Sequence, residues 1–204
     1  MTLSLFLDHF GVAVGAITGV LGARGKRVDL FGVLVLALVT AFGGATVRDV
    51  LAGDLPVIWL RGPWLLVNVT VTALVTFVLA RFHPPPHRLL LIVDALVLGA
   101  FAMIGTTKGI ALHFSAPVCV LLGVITSVAG GIGRDVLMGE VPMVFRSEIH
   151  LYATAALIGS AACVSLELLG VSATAATIAG GALVLTLRLA GIYWKLSLPL
   201  FETR

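Results

Sequence analysis

Charge is scarce in this sequence. Of its 204 residues only 13 are lysine or arginine and 10 are aspartate or glutamate, whereas 59% are hydrophobic and the mean hydropathy is +1.14. A soluble domain of this length would need several-fold more charge to cover its surface. The composition therefore predicts an integral membrane protein whose helices use nearly the whole chain, which leaves no room for a soluble catalytic domain.

Residues typical of catalytic and metal sites are also few. The two cysteines, Cys119 and Cys163, lie inside apolar stretches, and the five histidines are scattered without metal-like spacing. No His-Glu-x-x-His, Gly-x-Ser-x-Gly or Asp-x-Asp cluster is present. We therefore expect no enzymatic activity, no cofactor and no resident metal. The net charge of +3 is carried largely by short loops between apolar runs, which favours contact with a membrane and no binding of nucleic acid.

Long apolar runs separated by loop residues make up most of the chain. Three consecutive prolines at 84–86 cannot continue a helix, and Pro63 suits a helix start. The N-terminus lacks the features of a cleaved signal peptide, so we expect the first run to be retained as a helix. The sequence thus predicts an all-α membrane protein of seven transmembrane helices. The apolar runs cover about residues 4–22, 31–52, 63–81, 88–107, 115–138, 149–169 and 171–192.

The sequence repeats itself at an offset of 86 positions. A chance match between apolar segments would pair leucines and valines, whereas this register pairs glycines, prolines and charged residues. Because each copy contains three crossings, an odd number, the copies must be inverted in the membrane. We predict a first three-helix repeat at 1–86, a second at 87–170, and a seventh helix with a cytoplasmic tail at 171–204. The matched pairs include Asp8/Asp94, Thr40/Thr126, Gly44/Gly130, Arg48/Arg134, Asp49/Asp135, Gly53/Gly139, Asp54/Glu140 and Pro56/Pro142.

The loop charges predict the orientation. Placing the N-terminus outside puts nine basic residues on the inner side and two on the outer side, as the positive-inside rule requires. The outer pair is Arg61 and Lys108. The inner set is Arg24, Lys26, Arg27, Arg81, Arg88, Arg146, Arg188, Lys195 and Arg204. The C-terminus is then cytoplasmic.

Each repeat carries a glycine pair, Gly43-Gly44 and Gly130-Gly131. Such a pair lets a helix kink or unwind, and an unwound turn at membrane depth would have to face a wet cavity. Its freed carbonyls suit a cation, and the N-terminal end of the following half-helix suits an anion. The alternative is that these glycines only allow close helix packing. Their duplication beside charged residues favours a permeation or substrate site.

The charged pairs Arg48-Asp49 and Arg134-Asp135 follow the glycines within about two turns. A charge within the hydrocarbon usually faces a partner or water, although an interfacial position with a snorkelling arginine stays open. Asp94 lies inside the fourth segment, and we expect a basic residue of the other repeat as its partner, or a structural hydrogen bond. Lys108 could gate, bind a lipid headgroup or snorkel. Four hydroxyl residues could line a hydrophilic path or bond to their own helix: Thr40, Thr46, Thr126 and Ser127.

The duplicated Gly-Gly…Arg-Asp-Val-Leu…Gly-acid-x-Pro motif resembles that of the bacterial and archaeal trimeric intracellular cation (TRIC) channels, also grouped as a glycine transporter domain or an uncharacterised membrane family. The resemblance covers both repeats. It implies a homotrimer in the prokaryotic inner membrane with one pore per subunit, passing potassium and also sodium. It further implies that segments two and five bend at their glycine pairs and line the pore, and that Lys108 takes part in gating. The two glycine-to-arginine spacings differ, so the two kinks need not be equivalent.

Two functions follow from these residues. The first is a passive monovalent cation channel in which Arg48 and Arg134, paired with their aspartates, act as a plug that voltage or an ion displaces. One charge crossing the membrane field couples about 2.3 kcal/mol per 100 mV, which is enough to bias such a plug. The second is a carrier of a small zwitterion such as glycine, held between a half-helix end and free carbonyls. Unitary current steps would distinguish the channel from a saturating carrier.

Overall fold

The structure, a computed structural model, describes residues 3–82, 86–146 and 151–195. Within these ranges the chain forms eight α-helices and one 3-10 turn at Met143–Phe145. Six of the helices are long and apolar enough to cross a membrane, and α7 is a shorter apolar helix. The helices are α1 (Leu3–Gly22), α2 (Leu30–Ala52), α3 (Ile58–Arg61), α4 (Pro63–Phe82), α5 (His87–Ala111), α6 (Ala116–Leu137), α7 (Tyr152–Leu168) and α8 (Ala173–Trp194).

The seven-helix prediction is confirmed, with α3 as an additional single turn outside the apolar runs. Local chemistry sets several of the helix ends. The side chain of Asp29 accepts a hydrogen bond of 2.8 Å from the Gly32 amide and so caps α2, while Pro63 opens α4. Gly53 ends α2 at φ 68°, a left-handed conformation that glycine adopts without strain, and its repeat partner Gly139 has the same φ after α6.

Each three-helix unit has its own apolar core. The first unit (α1, α2, α4) packs around residues such as Ala37, Leu36 and Val69. In the second unit (α5, α6, α7) the core includes Leu98 and Ala156, and α8 adds Val184 to it. Helix α5 is the most enclosed membrane helix and α4 the least. Since water is absent from the bilayer core, close packing and buried polar contacts decide how the two units fit together.

The two units lie in opposite directions. Lys108, at the end of α5, forms an ion pair with Asp54, which follows the end of α2. Lys26, after the end of α1, pairs with Glu140, after the end of α6, at 2.9 Å. A connection of only four residues joins α5 to α6, so α6 starts at the face where α2 finishes. The second helices of the two units, α2 and α6, therefore run antiparallel across the bundle.

The seventh membrane helix packs within the subunit. The small residues of α8 allow a close approach to α7, where a Cβ on Gly180 would lie 2.9 Å from the Gly159 carbonyl oxygen. Arg188, counted above with the inner loops, instead lies inside α8 and is fully buried. Arg188 is therefore not a loop charge, and without it the count made from the sequence is eight inner basic residues to two outer ones. The predicted tail beyond residue 195 lies outside the described residues.

Candidate functional site

The glycine pairs mark the point where α2 crosses α6. A Cβ added to Gly44 would collide with the carbonyl oxygen of Thr126, and one added to Gly130 would collide with the carbonyl oxygen of Thr40. The two backbones therefore touch at mid-helix with no room for a methyl group between them. The two contacts are equivalent, because Thr40/Thr126 and Gly44/Gly130 are matched positions of the repeat.

The two glycines of each pair do not contribute equally to this contact. A Cβ on Gly131 would meet the Tyr152 hydroxyl at 3.4 Å, an ordinary contact distance, and one on Gly43 would lie 3.2 Å from the Gly130 Cα. The repeat register pairs Gly131 with Ala45, an alanine. This register explains the unequal glycine-to-arginine spacings. Gly44 and Gly130 are the equivalent positions, and the other glycine precedes this position in the first unit (Gly43) but follows it in the second (Gly131).

The expectation that the helices unwind at the glycine pairs is wrong for this structure. Both α2 and α6 are continuous α-helices through these residues. The bend at the glycine pairs and the pore lined by these two helices stay predictions. Packing of the two backbones stabilises the crossing, and the threonine hydroxyls beside it donate hydrogen bonds within their own helices. Thr40 donates to the Leu36 carbonyl at 2.6 Å and Thr126 to the Leu122 carbonyl at 2.5 Å.

The other two hydroxyl residues are also engaged by the protein. Ser127 donates to the Val124 carbonyl at 2.8 Å, and Thr46 accepts a hydrogen bond of 3.1 Å from the Trp59 indole. Their role as pore-lining groups stays a prediction.

Arg48 and Asp49 form a buried ion pair toward the end of α2. Both Nε and Nη2 of the guanidinium donate to Asp49 Oδ1, at 2.9 and 2.6 Å, and each residue is 1% exposed. The second carboxylate oxygen accepts a hydrogen bond of 2.9 Å from the Ile58 amide at the start of α3. The aspartate therefore fixes both the arginine of its own helix and the short turn that follows.

Arg134 and Asp135 repeat this arrangement at the end of α6, with one difference. Asp135 Oδ2 accepts a hydrogen bond of 2.7 Å from the Met143 amide, as Asp49 does from Ile58. Arg134 donates only Nε to Asp135, at 2.8 Å, and its Nη1 lies 3.4 Å from Asp94 Oδ1. The partner expected for Asp94 from the other repeat is therefore wrong, because Arg134 belongs to the same one.

These pairs are enclosed by protein, not exposed at the lipid interface. The Arg134 side chain is 1% exposed and the Asp94 side chain 3%. A buried charge without a partner would cost on the order of several kcal/mol of stability. The pairing explains why arginine and aspartate occur as neighbours in both units.

An acid after each of these helices forms a second layer of ion pairs. Asp54 bonds Arg61 of its own unit at 2.7 Å and also contacts Lys108 of the second unit; these three residues form the Asp54 clasp. The Arg61 hydrogen bond first, and the Lys108 contact second, hold the pKa of Asp54 at about 2. Lys108 is thus engaged by a carboxylate at the end of the bundle.

The opposite end has a matching arrangement. Glu140 bonds Arg146 at 2.6 Å and Lys26 of the first unit at 2.9 Å, which defines the Glu140 clasp. These two cations, Lys26 foremost, lower the pKa of Glu140. Each clasp therefore joins the two units at one face of the membrane.

We expect Asp54→Asn to remove a pH-dependent part of the stability. Because Asp54 has a lower pKa in the folded chain than its ordinary value near 3.8, its contribution is full above that value and lost as the pH falls through about 2. The pair is partly exposed, so the difference in unfolding free energy should be about 1 kcal/mol or less. Thermal unfolding of both proteins across acidic to neutral pH measures it.

The matched control for this experiment is Glu167→Gln, a carboxylate outside both clasps. The difference in stability between Glu167→Gln and the parent should not disappear at acidic pH, as the difference for Asp54→Asn does. A difference between parent and Asp54→Asn that grew as the pH fell would contradict the clasp.

A cavity of about 610 Å³ reaches Arg134 and Asp135 from the end of the bundle that carries the Glu140 clasp. Its walls come from the end of α1, the start of α5 and the segment after α6. They combine leucine and methionine side chains with Arg24, Arg146 and Glu140. The Nη2 of Arg134 has no hydrogen-bond partner among the described residues, although the side chain is buried. We name this space the Arg134 cavity.

A much smaller space lies beside Arg48 in the first unit. A pocket between Asp8 and Arg48 holds only about 10 Å³, roughly the volume one water molecule needs. Phe101 and Ile58 are among the apolar side chains that fill it. Among the described residues, a large space therefore lies beside Arg134 and only a very small one beside Arg48.

Sequence reasoning missed two residues of this region, Tyr152 and Arg188. The guanidinium of Arg188 lies over the Tyr152 ring, with Cζ 4.8 Å from the centroid. The signal available in the sequence was the position of Arg188 between Leu187 and Leu189 in an apolar run, which is unusual for a loop residue. Within the part of the chain that the structure describes, no group of three or more His, Cys, Asp or Glu side chains could hold a metal ion.

Known proteins resemble this chain over nearly its full length. A family model described as "Glycine transporter" matches twice, at residues 5–81 and 91–168. The inner membrane protein YadS of Escherichia coli, from the UPF0126 group, is 44% identical, over 98% of this chain and 96% of its own length.

Two solved structures share the fold. The TRIC trimeric intracellular cation channel orthologue from Rhodobacter sphaeroides is 37% identical with a TM-score of 0.90, covering 96% of this chain and 100% of its own. A structure described for conductance through TRIC cation channels is 33% identical with a TM-score of 0.89, covering 100% and 99%. The chain is a multi-pass membrane protein that belongs to the family joining the glycine transporter domain, the UPF0126 membrane proteins and the TRIC channels.

Proposed function

We propose that this chain forms a monovalent cation channel that passes potassium and also sodium, with one route through each subunit of a homotrimer. The channel function is carried over from the similar TRIC structures, whose descriptions name cation conduction and a trimer. The observation in this chain that supports it best is the Arg134 cavity, which leads from one membrane face to a buried charge pair beside the helix crossing.

The proposed route continues from Arg134 along α2 and α6 to Arg48 and the Asp54 clasp. Two arginines on a cation path would oppose conduction if they were unpaired, but each donates to an aspartate. In the plug mechanism, voltage or an entering ion would displace a paired guanidinium out of the path and so open it. Lys108 sits where its movement away from Asp54 would open that end of the route, in keeping with a gating role.

Ion flux into liposomes tests this function. Protein reconstituted into vesicles loaded with potassium chloride should release potassium into sodium medium far faster than empty vesicles, and should conduct without a requirement for any organic solute. Release no faster than from empty vesicles over a range of imposed voltages would reject the channel. Flux carried by chloride instead of potassium would also reject the cation channel.

A carrier for a small zwitterion is the second candidate, and one observation favours it. The Arg134 cavity is lined by the cations Arg24, Arg134 and Arg146, which suit a carboxylate, and by the acids Asp135 and Glu140, which suit an amine. With the helices continuous, these side chains would replace the backbone cradle considered from the sequence. Trapped unlabelled glycine should then accelerate uptake of labelled glycine, whereas a channel shows no such counterflow.

We propose that the chain lies in a prokaryotic inner membrane with its N-terminus outside and its C-terminus in the cytoplasm, among lipids that bind its basic loops. The proposed units are residues 1–86, 87–170 and 171–204. In this orientation the Asp54 clasp is external and the Glu140 clasp is cytoplasmic. The loop charges support the assignment.

Accessibility of single cysteines tests this orientation. A membrane-impermeant thiol reagent applied to intact cells should label Lys108→Cys, and should label Lys26→Cys only after permeabilisation. The buried Cys119 and Cys163 should stay unlabelled in the parent protein, which serves as the control. Labelling of both introduced cysteines from the same side would contradict the inverted arrangement.

A further inference from the structure

Arg188 is a buried charge that the repeat does not supply. It lies on α8, the helix without a counterpart in the first unit, and its side chain is fully enclosed. The Tyr152 ring lies under its guanidinium, and Asp94 is close enough to act on it electrostatically. The arginine therefore brings a positive charge from the seventh helix to the acid of the fourth membrane helix.

The matching region of the first unit shows what is different. There, the basic side chains that act on Asp8 among the described residues are Arg48, His9 and Lys108, and position 66, which matches Tyr152, is leucine. Arg48 places two nitrogens on Asp49. In the second unit Arg134 gives Asp135 a single nitrogen and turns Nη1 toward Asp94.

Charge balance explains this difference. The buried acids Asp94 and Asp135 need two positive charges, and Arg134 supplies only one. An uncompensated charge in a low-dielectric interior is strongly unfavourable. Arg188 supplies the second, so Arg134 is shared between two carboxylates without being drawn wholly onto Asp94.

We propose that Arg188 is the counter-charge of Asp94 and thereby the positioning residue that keeps Arg134 facing the cavity. Its role is to neutralise Asp94 from the α8 side, which leaves Arg134 bonded to Asp135 in the wall of the Arg134 cavity. The groups that act on Asp94 in the described structure are Arg134 on α6, Tyr152 on α7 and Arg188 on α8. The seventh helix would therefore tune a site built by the two repeats.

The stability of four proteins tests the proposal without reference to transport: the parent, Arg188→Met, Asp94→Asn and the double variant. Each single change leaves a buried charge unbalanced and should lower the thermal midpoint, whereas the double change should recover most of that loss. Arg188→Lys, which keeps the charge, should lie closer to the parent than Arg188→Met does.

The matched control is Val184→Ala, one turn away on α8 and equally buried. It also destabilises, but Asp94→Asn should not rescue it. Additive losses in the Arg188 and Asp94 double variant would overturn the proposal, because a purely packing role for Arg188 gives additivity.

A second arm rests on the proposed function. In potassium-loaded liposomes, Arg188→Met should change the flux per folded protein by about twofold or more, as Arg134 is drawn toward Asp94, and the double variant should return toward the parent rate. Flux of Arg188→Met equal to the parent would overturn the positioning role. Absence of flux from the parent itself would reject the channel and leave the stability test to decide the proposal.

Discussion

Alanine at Gly44 or at Gly130 is expected to prevent the accumulation of folded protein or to lower its unfolding free energy by at least about 3 kcal/mol. The added methyl would meet a backbone carbonyl of the opposite helix, and a backbone cannot rotate aside as a side chain can. The two helices would have to separate along their whole contact. Thermal unfolding and gel filtration of the purified variants in detergent measure the effect.

The chain offers a control for this experiment inside the same motif. Gly131→Ala places its methyl at an ordinary distance from the Tyr152 hydroxyl, and the first unit already carries alanine at the equivalent position 45. It should therefore behave nearly as the parent protein, with Gly43→Ala in between. If Gly131→Ala proved as damaging as Gly130→Ala, the glycines would serve bending and not the crossing.

Replacing Arg134 by methionine is expected to cost about 3–5 kcal/mol of stability, because it leaves two buried acids with only Arg188 to balance them. Lysine at this position keeps the charge but cannot reach Asp135 and Asp94 together with a planar fork, so we expect it to recover only part of the loss. Chemical or thermal unfolding of the variants in detergent gives the values.

Arg146→Met is the appropriate comparison, since Arg146 is a partly exposed member of the Glu140 clasp. Its removal should cost about 1 kcal/mol or less. Equal losses for Arg134→Met and Arg146→Met would mean that the Arg134 network is solvated in the membrane and is not a buried balance of charge.

The helices and the duplication could be read from the sequence because they depend on local patterns. Apolar runs of about 20 residues report membrane helices directly, and paired Gly, Arg-Asp and Pro residues define the register of the repeat. The cost of exposing charge to lipid favoured partners for Arg48 and Arg134, but the sequence left an interfacial position open, and the structure shows that both are buried.

Contacts between helices could not be read in the same way. A glycine pair is compatible with a bend or with a close crossing, and only the backbone of the partner helix at Thr126 or Thr40 decides between them. The partner of Asp94 depended on whether α6 or a helix of the other unit faces α5. The role of Arg188 depended on the position of α8, which has no copy in the repeat to align with.

The two short turns after α2 and α6 were missed for a related reason. Ile58–Arg61 and Met143–Phe145 are held by single hydrogen bonds from their first residues to Asp49 and Asp135. Nothing in segments this short marks them as helical without that tertiary acceptor.

Unitary current recording from the purified protein in a planar bilayer tests the central claim most directly. Under a potassium chloride gradient we expect discrete current steps whose reversal potential lies toward the equilibrium potential of potassium. Current without steps that saturates with an added solute, or a reversal potential at the chloride equilibrium, would contradict a cation channel built from these two inverted units.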